Sequence, residues 1–144
     1  MIIMTKLLRS FLALAFCLLM ATQVQAQQQQ HPIDTEIDQC KGSKSNLLGQ
    51  IECEIMGYQK WSAEMERLYT LLLNQVDEQT KLILKEEQLA WANLRDVHFE
   101  FYEKFYSRKE GQYLTLMASS KTDFVRQRAH ELQLHVNELN TLRN

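Results

Sequence analysis

Four histidines, several close-set carboxylates and one Trp-Arg-Asp cluster are the side chains of this 144-residue chain with the means to do chemistry. His31, His98, His130 and His135 could hold a metal or move protons, but a helix presents two metal ligands together only when they stand one turn apart. No two histidines are at i,i+4, and no Glu-x-x-His occurs, so neither a zincin helix nor a di-iron bundle can be assembled. His130 and His135 are five apart, about 140° around a helix, and face different ways. Glu64 with Glu66 and Glu86 with Glu87 read as solvated helix faces. A phosphate cradle needs clustered glycines, and the four here are scattered. A Gly-x-Ser-x-Gly nucleophile elbow is absent. The sequence therefore predicts no catalytic residue, no metal and no cofactor: the protein is not an enzyme.

The cluster lies in "QLAWANLRD", residues 88–96. On a helix, Trp91 and Arg95 sit at i,i+4, so the guanidinium can cover the indole. Asp96 is rotated about 100° from Arg95, which predicts that the two do not pair and that each finds a partner on another element. Gln88, Trp91, Arg95 and Asp96 then form a packing seam between helices, and Trp91 is expected to be a buried anchor.

Helical elements must position that seam, and the apolar spacing supplies them. Ile51, Ile55, Tyr58, Met65, Tyr69, Leu72 and Val76 recur at steps of three, four or seven, with Trp61 and Leu68 widening the stripe. Gly49 and Gly57 weaken its first turns. Asn74–Asp77 breaks the pattern, and Asp77 can cap a second helix running from about Glu78 to Ser107. Its stripe is Leu84, Ala90 or Trp91, Leu94, Val97 or His98, Phe101 and Phe105. "SRKEG" at 107–111 stops it. A third helix carries Met117, Phe124, Leu132, Val136 and Leu139, with "SSKTD" at 119–123 as an entry or bend, and "DTEID" before Cys40 could form a short helix. The predicted fold is all-α, an antiparallel helical hairpin with a third packed helix.

The first 26 residues are set apart. Lys6 and Arg9 precede an apolar run from Phe11 to Ala21, and "VQA" at 24–26 offers a cleavage site: a secretory signal peptide, too short to span a bilayer. Acylation at Cys17 is disfavoured because Phe16 precedes it. Its removal leaves 118 residues, one domain over 37–144 behind a flexible Gln-rich lead-in at 27–36. It also leaves Cys40 and Cys53, an even pair that reads as one disulfide in a periplasmic or secreted protein. Without Lys6 and Arg9, 14 basic side chains face 18 acidic ones, a net charge near −4. That excludes a basic nucleic-acid-binding face and suits a basic protein partner.

Gln88-x-x-Trp91-x-x-x-Arg95-Asp96, after Tyr69 and the Cys40…Cys53 pair, resembles the LprI N-terminal domain family, small exported bacterial helical proteins named for a lipoprotein that inhibits lysozyme. The resemblance covers roughly Asp38 to Leu132, with Gly111 and the Arg128–Leu132 segment matching the family's glycine-containing loop and closing helix. Ser62, Met65 and Glu66 depart from its pattern, and Phe99 and Ser120 stand where many members carry a second cysteine pair. The resemblance implies a cell-envelope binding protein with a protein partner, a lysozyme. Inhibiting a cleft enzyme needs a protruding element. The candidates are the Asn74–Asp77 turn and the 107–112 loop, where Arg108 and Lys109 could oppose catalytic carboxylates. The alternative is a structural or chaperone-like periplasmic protein using an apolar cleft near Tyr102, Tyr106 and Tyr113.

Overall fold

The computed structural model describes residues 30–107 and 111–143. The leader at 1–26, and Arg108 and Lys109, lie outside the described residues. Four helices form, α1 (Pro32–Gly42), α2 (Leu47–Leu73), α3 (Glu78–Tyr106) and α4 (Gln112–Leu142), and no strand occurs among the described residues. The fold is all-α, as the spacing predicts.

Each start has a local cause. Pro32 stands at the first helical turn, where its missing N–H costs nothing, and the His31 ring accepts from the Ile33 N–H at 3.2 Å. This cap starts α1 inside the stretch expected to be lead-in. Asn46 Oδ1 accepts from the Gly49 N–H at 2.7 Å, and Asp77 Oδ1 from the Thr80 N–H at 2.9 Å. Gly111 precedes α4 at φ 69°, a left-handed turn that favours glycine.

The chain direction follows from pairs along the helices. Thr122 meets the Glu54 carbonyl and Arg143 meets the Gln75 carbonyl, so α4 runs the same way as α2. α1 and α3 run against them. α2 and α4 are the most extensively packed pair, α1 lies on α2, and α3 lies on α4. The core is the α2–α4 seam of Trp61, Met65, Leu68 and Leu72 against Val125, Ala129, Leu132 and Val136, closed by Ile37 of α1. Burying side chains of this size contributes about 1.5–3 kcal/mol each.

The structure rotates the expected stripe of α2. In α2 the buried line runs through Cys53, Gly57, Trp61, Met65, Leu68 and Leu72, and Ile55 is exposed. Trp61 and Leu68, read as the margin, are the centre. Gly57 is a seat rather than a weak point: a Cβ there would fall 2.5 Å from Ile37 Cδ1, so its absence lets α1 approach. α4 passes through "SSKTD" without a bend. The Thr122 hydroxyl donates to the Ala118 carbonyl and the Glu54 carbonyl, so it serves the helix and its neighbour instead of capping a new start.

The Cys40–Cys53 disulfide forms, with the Cα atoms 5.6 Å apart, and clasps α1 to α2. Exported protein should have a mass lower by two protons unreduced than after reduction; two alkylatable thiols in native material would contradict the bridge. Trp61 is 1% exposed. Trp61→Ala should cost about 3–5 kcal/mol in denaturant unfolding, distinctly more than Trp91→Ala. Equal losses would mean that the two indoles are equally buried.

Candidate functional site

Gln88, Trp91 and Arg95 lie on the inner side of α3, towards α4, whereas Asp96 is exposed. Trp91 stacks on Phe124 of α4 with ring centroids 5.7 Å apart. Arg95 lies over the indole at 5.7 Å and Arg128 of α4 at 6.0 Å, so two guanidiniums share one ring. Trp91 is only partly buried, which corrects the expectation of a buried anchor. Arg95 and Asp96 do pair, with Nε and Nη2 donating to Oδ1 at 2.9 and 2.7 Å. Neighbours on a helix diverge by about 100°, but the long guanidinium reaches back to the short carboxylate in solvent. Such an exposed pair adds little stability.

The cation that ties the seam is Arg128, 2% exposed. It donates to both oxygens of Glu87, to Glu131 at 2.8 Å, and twice to Gln88 Oε1 at 3.1 and 2.9 Å. Burial pulls its pKa down, and the bonds to Glu87 and Glu131 more than offset this, holding it above the ordinary arginine value. Of the residues singled out for the seam, Gln88 is thus the one that joins α3 to α4 by direct hydrogen bonds. Arg128 carried a sequence signal: it precedes Ala129 and Leu132 on the buried stripe, one step from solvent.

A second cluster ties α1 to the core. The buried indole of Trp61 donates to Asp34 Oδ1 at 3.0 Å, and Arg126 donates to the same oxygen at 3.0 Å. His31 lies 4.4 Å from the Trp61 ring and His130 4.9 Å. Burial lowers the His130 pKa, the neighbouring His31 and Arg126 lower it further, and Asp34 opposes them. His130 and Asp34 therefore act in packing, and among the described residues no three His, Cys, Asp or Glu side chains gather as a metal site.

A groove of about 410 Å³ opens between α2, α3 and α4, lined by Ile51, Ile55, Tyr58, Phe99 and Met117. Lys121 stands at its rim, 5.1 Å from the Phe99 ring and bonded to Glu103 at 2.7 Å. Tyr106 reaches Ser120, and Phe99 meets Phe124, so the Phe99 and Ser120 positions both belong to the α3–α4 contact. At the opposite end, the Asn74–Asp77 turn is tied down by Arg143, which donates to the Gln75 carbonyl at 2.9 Å. Arg108 and Lys109 belong to the segment joining α3 to α4, outside the described residues.

Fold and site together define a small helical protein clasped by one disulfide, whose signature residues hold helices together. The chain belongs to the lysozyme inhibitor LprI family, which matches residues 38–132. It is similar to an uncharacterized protein from Burkholderia thailandensis whose crystal structure superposes with a TM-score of 0.68 at 25% identity, over 78% of this chain and 57% of that one. The chain thus spans little more than half of that protein's length. No curated protein matches the chain. No helix among the described residues is long and apolar enough to cross a membrane.

The His130 environment sets a pH dependence. A lowered folded-state pKa means that the unfolded chain takes up its proton first, so stability is full above the ordinary value of 6.5 and falls as pH drops through it. Between about pH 6.5 and 5, above the carboxylate range, the unfolding midpoint should decline, and His130→Asn should flatten that decline. An equal slope in the variant would remove His130 from the cause.

Proposed function

We propose that the chain is exported to the cell envelope and that its folded domain binds and inhibits a lysozyme as a protein, without a cofactor. The observation that carries this reading is the family match over residues 38–132. The leader-like first 26 residues and the surplus of acidic side chains support it, since complementary charge speeds encounter with basic enzymes. Arg108 and Lys109, in the segment between α3 and α4, are the proposed inhibitory cations. A second reading, a structural or chaperone-like helical protein without inhibitor activity, is favoured by the open apolar groove at Ile51, Ile55 and Phe99.

Loss of turbidity of bacterial cell walls under lysozyme tests the first reading. The purified protein should slow lysis, more strongly at low salt than at physiological salt. The double variant Arg108→Glu, Lys109→Glu should weaken inhibition by about tenfold or more while its unfolding midpoint stays unchanged. Unchanged lysis in stoichiometric excess, at both salts and across animal and bacterial lysozymes, would leave the groove-binding reading in its place.

A further inference from the structure

α3 has two apolar faces. Leu84, Trp91 and Phe99 are partly buried against the core, whereas Ile83, Ala90, Leu94, Val97, Phe101 and Phe105 point elsewhere and no residue of α3 is fully buried. The alternatives in its sequence pattern, Ala90 or Trp91 and Val97 or His98, are therefore two stripes about 100° apart. The outer one follows steps of seven, four, three, four and four along roughly 33 Å of helix. The five large side chains on it are 50–65% exposed. At roughly 100 Å² each, they present about 500 Å² of apolar surface, the size of a functional patch and, against the ~800 Å² per partner of a standard interface, suited to a modest, reversible contact.

We propose that this outer face of α3 pairs with the same face of a second copy, antiparallel about a twofold axis. The stripe is straight and convex, so it fits another helix of matching spacing, and a twofold axis makes one patch serve both sides. Setting each Leu94 beside the other copy's Val97 brings each bulky Phe101 beside the other's small Ala90, the large-against-small alternation that fills a helix–helix seam. The same register sets each Lys104 near the other copy's Glu86, Glu87 being held by Arg128. Lys104 now bonds only within its own helix, to Glu100, and its side chain is 76% exposed. Charge and shape agree on one register.

Sedimentation velocity tests this on protein made from the full chain and purified from the periplasm. It should be a dimer at about 100 µM, a concentration that populates even modest interfaces. Val97→Glu should weaken association at least about tenfold with an unchanged helical spectrum, whereas Leu134→Glu, on an exposed site of α4, should not. Lys104→Glu should weaken the dimer, and adding Glu86→Lys should restore it. A wild-type monomer at that concentration overturns the proposal, as does a dimer indifferent to both Val97→Glu and the charge swap. If the wild type is monomeric and Val97→Glu abolishes lysozyme inhibition, the face belongs to the enzyme and the dimer is likewise overturned. Inhibition that survives in a monomeric Val97→Glu variant separates the dimer from the inhibitor reading.

Discussion

The architecture depends on one donor: the indole N–H of Trp61, sealed between α2 and α4. A buried N–H without an acceptor costs about 1–3 kcal/mol, and Asp34 is the acceptor. Asp34 sits on α1, so α1 must lie against the bundle with its N-terminal turn over the indole. The remaining features of that end serve the same placement. His31 caps α1 and stacks on the indole, Gly57 lets Ile37 come close, and Arg126 neutralises the carboxylate from α4. The disulfide then fixes the other end of α1, so a short helix with one fully buried residue is held at both ends.

What the sequence revealed and what it hid divide along a physical line. Periodicity and caps are local, so the three long helices and the Asp77 cap could be read directly. The Cys40–Cys53 pair followed from counting. Which side of each stripe meets which neighbour depends on partners far along the chain. Ile55 and Trp61 both fit the periodic pattern of α2, and only the approach of α1 and α4 places Trp61 in the centre and Ile55 in solvent. The Asp34–Trp61–Arg126 contact joins residues 27 and 92 positions apart, beyond any spacing rule. "SSKTD" was ambiguous for a related reason: small hydroxyl side chains cap helices or bond back into them equally well, and the Glu54 carbonyl of α2 decides the matter for Thr122.

The Trp91 site shows why a charged, aromatic signature need not mean chemistry. Glu87, the carboxylate nearest Arg128, is committed to it, and Gln88 accepts from the same guanidinium. Arg95 and Arg128 both rest on the indole, so the ring acts as a platform for cations rather than as a ligand for a substrate. Arg128 is the costly member, because a buried guanidinium stripped of its partners is strongly destabilising. That expense makes the seam selective: α3 can slide along α4 only by breaking the bonds of Arg128 to Glu87 and Gln88, leaving Glu131 as its one partner. A register fixed in this way is what a binding protein needs, since it sets where the ends of the helices fall.

The consequence reaches the surface. With the inner face of α3 locked by Arg128, its outer apolar stripe is held straight and at a fixed rotation. The same helix contributes Phe99 to the groove, beside Lys121. A partner at the groove's end and a second copy along the outer stripe would approach from different sides, because the two stripes diverge by about 100° around one axis. The two contacts are therefore compatible on one molecule. Pairing through α3 would present two copies of the groove from one assembly, the α3–α4 register of each set by its own Arg128.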